Sequence, residues 1–165
     1  MSKGMYKNNY VRSGLITGTM WDAVMKYISK TNDYSDIKNN TPWGNYNTNT
    51  GLTYETGRGR YIGVNSSNGI ESGSFVTSDT AHHYGIRTTG FSDGARKNNI
   101  YDLAGNLWEW TQEMCFMANN NTLAYLLRGG SFDSSPSVHS VVNRAYAWTS
   151  YTNTPRGFRP ALYIK

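Results

Sequence analysis

Apolar side chains fall at helical spacing where Trp21, Val24, Met25 and Ile28 follow Thr17-Gly18-Thr19-Met20-Trp21-Asp22, a segment that sets a hydroxyl three residues ahead of a carboxylate. The pattern predicts one amphipathic helix over about residues 20–29. From 31 to 95 the periodicity is lost: Asn, Gly, Ser and Thr dominate, with Pro42-Trp43-Gly44-Asn45 as a break and short candidate strands near 60–64 and 74–77. Rings at Trp43, Tyr54, Tyr61, Tyr84 and Phe91 recur along this stretch, and their area predicts loops packed on a core. Further strand candidates lie at 107–111, 124–128 and 158–163, the last with Phe158, Pro160, Leu162 and Ile164 on one face. Residues 133–152 show no convincing period.

Length and composition narrow the class. The 165 residues suit one domain, 1–165, with a real core, which an excised C-terminal piece of a longer protein would also satisfy. With 17 Gly and 18 Asn but only 16% charged residues, the domain should be rich in loops. The net charge of +5 comes from scattered Lys and Arg without a basic run, so nucleic acid is not expected as a partner. Cys115 is the whole cysteine complement, which excludes an intrachain disulfide. No apolar run reaches the ~18 residues of a membrane span, and Met1-Ser2-Lys3-Gly4-Met5 lacks the apolar core of a signal peptide.

Four segments carry a resemblance: Pro42-Trp43-Gly44-Asn45; Ile100 to Trp110, containing Gly105-Asn106-Leu107-Trp108-Glu109-Trp110; Arg128-Gly129-Gly130-Ser131-Phe132; and Gly157-Phe158-Arg159. In this order they resemble the formylglycine-generating enzyme, or sulfatase-modifying-factor, family. The resemblance implies an α+β, C-type-lectin-like fold of the formylglycine-generating-enzyme subtype, with a short antiparallel sheet, few helices and long ordered loops. Catalytic members use two cysteines, five positions apart, that bind copper shortly after the Arg-Gly-Gly-Ser motif. Those positions are Ser134 and His139 here, and Cys115 lies before the motif. A hydroxyl and one imidazole do not replace a thiolate pair for copper(I), so neither copper nor the oxidase activity is expected.

The resemblance also implies structural Ca²⁺ held by the side chains of Asp102 and Glu109 and the carbonyls of Gly105 and Leu107, hard oxygen donors that suit the ion. The alternative is that Asp102 caps a turn and Glu109 pairs with an arginine. His82-His83, with Asp79, is read as loop because adjacent side chains diverge. Arg128, Arg144 and Arg159 are expected to bond carbonyls or carboxylates inside the fold.

The tract 133–152 interleaves small and hydroxyl side chains with Tyr and Trp, the chemistry of antibody-type binding loops. Lys, Glu, Gln and Met make up 18 of 165 residues, so about two are expected in these twenty positions, yet none occurs. Codons ending in a pyrimidine cannot specify those types or Trp; Trp148 departs from the pattern. The tract is therefore similar to the hypervariable segment of lectin-fold variable proteins of diversity-generating retroelements, found in phages and bacteria. That resemblance implies a non-catalytic module on a virion or bacterial cell surface that contacts a protein or glycan ligand through Phe132, Asp133, Ser134, Ser135, His139, Ser140, Val142, Tyr146, Trp148, Ser150 and Tyr151. Tyr146, Trp148 and Tyr151 are the expected anchors. An oxidase with an altered metal site and a structural tail or fibre domain are the alternatives.

Overall fold

The structure, a computed structural model, describes residues 10–31, 36–38, 41–48, 52, 60–65, 69–74, 85–119, 121–148, 150 and 155–164, with the backbone alone for 60–65, 69–74, 163 and 164. In chain order the elements are β1 (Val11–Leu15), α1 (Gly18–Thr31), β2 (Arg60–Asn65), β3 (Gly69–Ser74), β4 (Gly85–Arg87), β5 (Arg96–Lys97), β6 (Ile100–Tyr101), β7 (Trp108–Met117), β8 (Thr122–Arg128), β9 (Ala145–Ala147), β10 (Arg156–Phe158) and β11 (Pro160–Ile164). The domain is α+β and dominated by sheet, with one α-helix and a 3₁₀ turn at Asp93–Ala95 among the described residues.

The helix forms where the 3.6-residue spacing places it, beginning two residues ahead of the expected start and ending two beyond the expected end. The Thr17 hydroxyl accepts the Met20 N–H at 3.1 Å, so Thr17 rather than Thr19 satisfies the orphan donor. Trp21, Met25 and Ile28 face inward and meet Ile16, Ile37, Trp43, Tyr46, Leu103, Ala104 and Val141 in the main core. Gly18 lets α1 approach β7: a Cβ there would lie 2.2 Å from Glu113 Oε2. Trp43 and Phe91 are buried as the ring pattern predicts; Tyr54, Tyr84, the Tyr61 side chain and residues 75–77 lie outside the described residues.

The central sheet has the order β10-β7-β8-β9. It is mixed, not antiparallel as expected: β7–β8 and β8–β9 are antiparallel, but β10 runs parallel to β7, with Arg156 opposite Trp108 and Phe158 opposite Trp110. The chain leaves β9 at one edge and returns to the other, which brings β10 in along β7 in the same direction. The strand expected at 158–163 is divided at Arg159, and β11 begins at Pro160 and pairs with β1 in a separate two-stranded sheet. The described side chains of its apolar face, Phe158, Pro160 and Leu162, are exposed.

Register sorts the sheet's side chains onto two faces. Trp110, Leu127 and Ala145 oppose one another across three strands, and with Trp108 and Ala147 they form a second apolar cluster. Tyr146 opposes Leu126, so Tyr146 and Trp148 stand on the other face.

Candidate functional site

The four sequence motifs are neighbours in space. Asn45 N–H donates to Ala104 O (3.2 Å), and Asn106 N–H donates to Asn45 O (2.7 Å), so the Pro-Trp-Gly-Asn turn is bonded to the Gly105-Asn106 bend. Gly105, at φ 69, must be Gly because a Cβ would meet Asn45 O at 2.2 Å. The bend then bonds the third motif: Gly105 N–H donates to Gly129 O (2.8 Å) and Phe132 N–H donates to Asn106 O (3.0 Å). Arg159, from the fourth motif, forks onto Glu109 at 2.9 and 2.8 Å and donates to the carbonyls of Tyr101 and Asp102.

This frame holds the following tract largely by its main chain. Trp21 Nε1 donates to Val141 O (3.0 Å), and Thr41 Oγ1 accepts the Val141 N–H (3.3 Å). Arg128, fully buried, donates to Val142 O at 2.6 Å and Asn143 O at 3.3 Å, and Asn143 Nδ2 bonds Val138 O. Asn47 bonds the carbonyls of Ser134 and Asp133. Asp22 of α1 ion-pairs with both Arg128 and Arg144, residues that flank the tract's turns, and Arg144 also pairs with Glu113 at 3.0 Å. The three arginines therefore bond carbonyls and carboxylates, as expected.

The predicted contact residues divide by exposure. Asp133, Tyr146 (50% exposed) and Ser150 are exposed; Ser135, His139, Val142 and Trp148 are half-buried; Tyr151 lies outside the described residues. Phe132, Ser134 and Ser140 are buried and are corrected to parts of the frame: Ser134 Oγ shares a hydrogen bond with Ser131 Oγ (2.7 Å), and Ser140 Oγ donates to Asn143 Oδ1 (3.1 Å). The tract is not one surface. Tyr146 and Trp148, edge to face at 5.8 Å, lie on one side of the sheet, whereas the 133–139 turn stands beside Trp108 of the other face.

An open cleft of about 390 Å³ runs between that turn and the sheet, lined by Trp108, Asp133, Ser134, Ser135, Val138, His139, Pro155 and Arg156. Ser134 and His139, which the resemblance sets at the positions of the family's thiolate pair, both line it. The His139 ring packs edge-on against Trp108 at 5.1 Å and 75°. Trp108, Val138 and Arg156 escape sequence reasoning as cleft residues; a Trp in a Trp-rich motif reads as packing, and Arg156 is distant in sequence. Cys115 opposes Ala124 on the face that carries Tyr146, with its Sγ 3.9 Å from Met117 Sδ, and does not line the cleft.

A smaller cavity of about 180 Å³ includes Asp102, Glu109, Phe158 and Arg159 in its wall. Glu109 pairs with Arg159, and Asp102, at φ 54, uses Oδ2 to accept the Gly90 N–H at 3.2 Å. Burial pushes the Glu109 carboxyl up to about 7 against the opposing pull of Arg159, and burial pushes Asp102 up to about 6 against its hydrogen bonds. Asp102 Oδ1 is buried without a hydrogen-bond partner, which fits a cation; Glu109 fits one only by giving up Arg159. Among the described residues no three or more His, Cys, Asp or Glu side chains gather as a metal-binding group. His82, His83 and Asp79 lie outside the described residues.

A mixed sheet with one α-helix among the described residues, closed by interlocked Gly-Asn and Arg-Gly-Gly motifs, is consistent with a formylglycine-generating-enzyme-like domain. The family model described as a sulfatase-modifying factor enzyme 1-like domain matches residues 13–164, and the chain belongs to this family. No curated protein and no solved structure matches the chain. No helix among the described residues is long and apolar enough to cross a membrane.

Proposed function

We propose that this domain is a non-catalytic ligand-binding module with a C-type-lectin-type body, and that it is a variable protein of a diversity-generating retroelement acting at a phage or bacterial cell surface. The observation that supports it most is that the tract is anchored through carbonyls and N–H groups, by Trp21, Thr41, Asn47 and Arg128. Anchors of that kind are indifferent to the side chain borne at the anchored position, so recognition can change while the fold persists. The exposed and half-buried set of Asp133, Ser135, Val138, His139, Tyr146 and Trp148 would make the contacts. Ser134 and His139 at the aligned thiolate positions argue against the copper chemistry.

Tyr146→Ala and Val138→Ala should each change the unfolding free energy by under about 0.5 kcal/mol in urea titrations, since neither side chain is buried. Losses above about 2 kcal/mol would mean that the tract is structural. Incubating the copper-loaded protein with a thiol peptide should give no oxidation; copper-dependent turnover would favour the oxidase. A template copy of the tract's DNA with extra adenines, beside a reverse transcriptase gene, would establish diversification.

Structural calcium is part of the proposal, and Asp102 Oδ1 is the oxygen that supports it. Millimolar calcium should raise the melting temperature relative to chelator in the native chain and fail to do so in Asp102→Asn. An equal response in both would remove Asp102 from the site.

A further inference from the structure

We infer that the cleft between Trp108 and the 133–139 turn is a subsite for a neutral saccharide of one or two rings; this rests on the binding-module function proposed above and names the ligand class for one part of it. The volume of about 390 Å³ falls within the range of small-ligand sites, about 300–1,000 Å³. A sugar ring presents apolar C–H faces and a girdle of hydroxyls that both donate and accept. The cleft offers the counterpart of each: apolar surface from Val138, Pro155 and the edge of Trp108, an acceptor in the Asp133 carboxylate, donors in Arg156, and the Ser135 hydroxyl.

Other small ligands suit the lining less well. Asp133 and Arg156 offset one another in the lining, so the cleft has no net charge to favour a phosphate, and its polar groups would be left unpaired by an apolar molecule. A flat protein surface is better served by the Tyr146–Trp148 pair, which stands on the opposite face of the sheet. The cleft is also held in shape before any ligand arrives. Trp108 is 8% exposed and its main-chain N–H donates to Pro155 O at 3.0 Å; His139 is held by its ring contact with Trp108 and by its main-chain N–H to Ser135 O at 2.9 Å. Rigid walls lower the ordering cost of binding.

The test is a printed array of neutral and acidic mono- and oligosaccharides probed with the full chain, followed by titration of the best free sugar against Asp133→Asn, His139→Ala and, at an exposed position of α1, Tyr27→Ala. The expected result is a neutral-sugar signal whose affinity falls at least tenfold in Asp133→Asn and in His139→Ala, both folded by circular dichroism, and is unaltered in Tyr27→Ala. A signal restricted to acidic sugars, or one insensitive to the two cleft variants, overturns the assignment. A silent array overturns it too and leaves the binding module standing, whereas copper-dependent oxidation of a thiol peptide overturns both.

Discussion

Replacing Arg159 by Ala should destabilise the domain by about 3–5 kcal/mol at pH 8, the cost of stranding one member of a buried ion pair. Arg159 meets both Glu109 oxygens and two main-chain carbonyls, and the Glu109 side chain is only 11% exposed. The loss should shrink at pH 5. Burial already lifts the Glu109 carboxyl to about 7, and Arg159 is the group that pulls it back down, so the variant's carboxyl rises further and is neutral in the folded state at pH 5. A carboxyl raised on folding contributes stability that is full below its unfolded pKa and is lost as the pH climbs through the folded one. The window for Glu109 and Asp102 is therefore about pH 4 to 7, with stability declining upward through it. Urea titrations at pH 5 and pH 8 measure the difference, and equal losses at both would show that Glu109 is not the group left stranded. Arg159→Lys keeps the charge without the fork and should fall between the native chain and Ala.

Trp21→Ala should cost about 3–5 kcal/mol, because a fully buried indole leaves a cavity at the centre of the main core. Trp21→Phe refills most of that space but leaves the buried Val141 carbonyl without its donor, for about 1–3 kcal/mol. The two variants separate packing from anchoring. If α1 anchors the tract, amide exchange at 138–144 should accelerate in Trp21→Phe more than at β7 and β8; uniform acceleration would assign Trp21 to packing alone. Cation–π contact with Arg128, whose guanidinium lies 5.9 Å from the indole ring, adds to the coupling between helix and tract.

The helix, the strand candidates near 60–64, 107–111 and 124–128, and the family motifs were legible along the chain because each rests on neighbours a few residues apart, whereas the run of β7 on to Met117 was not. Trp21, Met25 and Ile28 share a face by the geometry of a helix alone. The Glu109–Arg159 pair was open between two roles, since its members stand 50 residues apart and only the parallel docking of β10 on β7 brings the second motif to the fourth.

For the tract, local pattern supplied the chemistry: hydroxyls and rings without a period, and hence a segment able to carry contacts. Where each side chain points was decided by long-range pairing. Strand parity puts Tyr146 opposite Leu126 and sends it to the other side of the sheet from Trp108, while turns closed by Ser131, Asn143 and the Arg128 clamp fold Ser134, Ser140 and Val141 inward. The cleft itself is assembled from β7, the 133–139 turn and the start of β10, three segments that no local periodicity connects. Burial and concavity are properties of how distant segments meet, and residue order alone specifies them only through the complete fold.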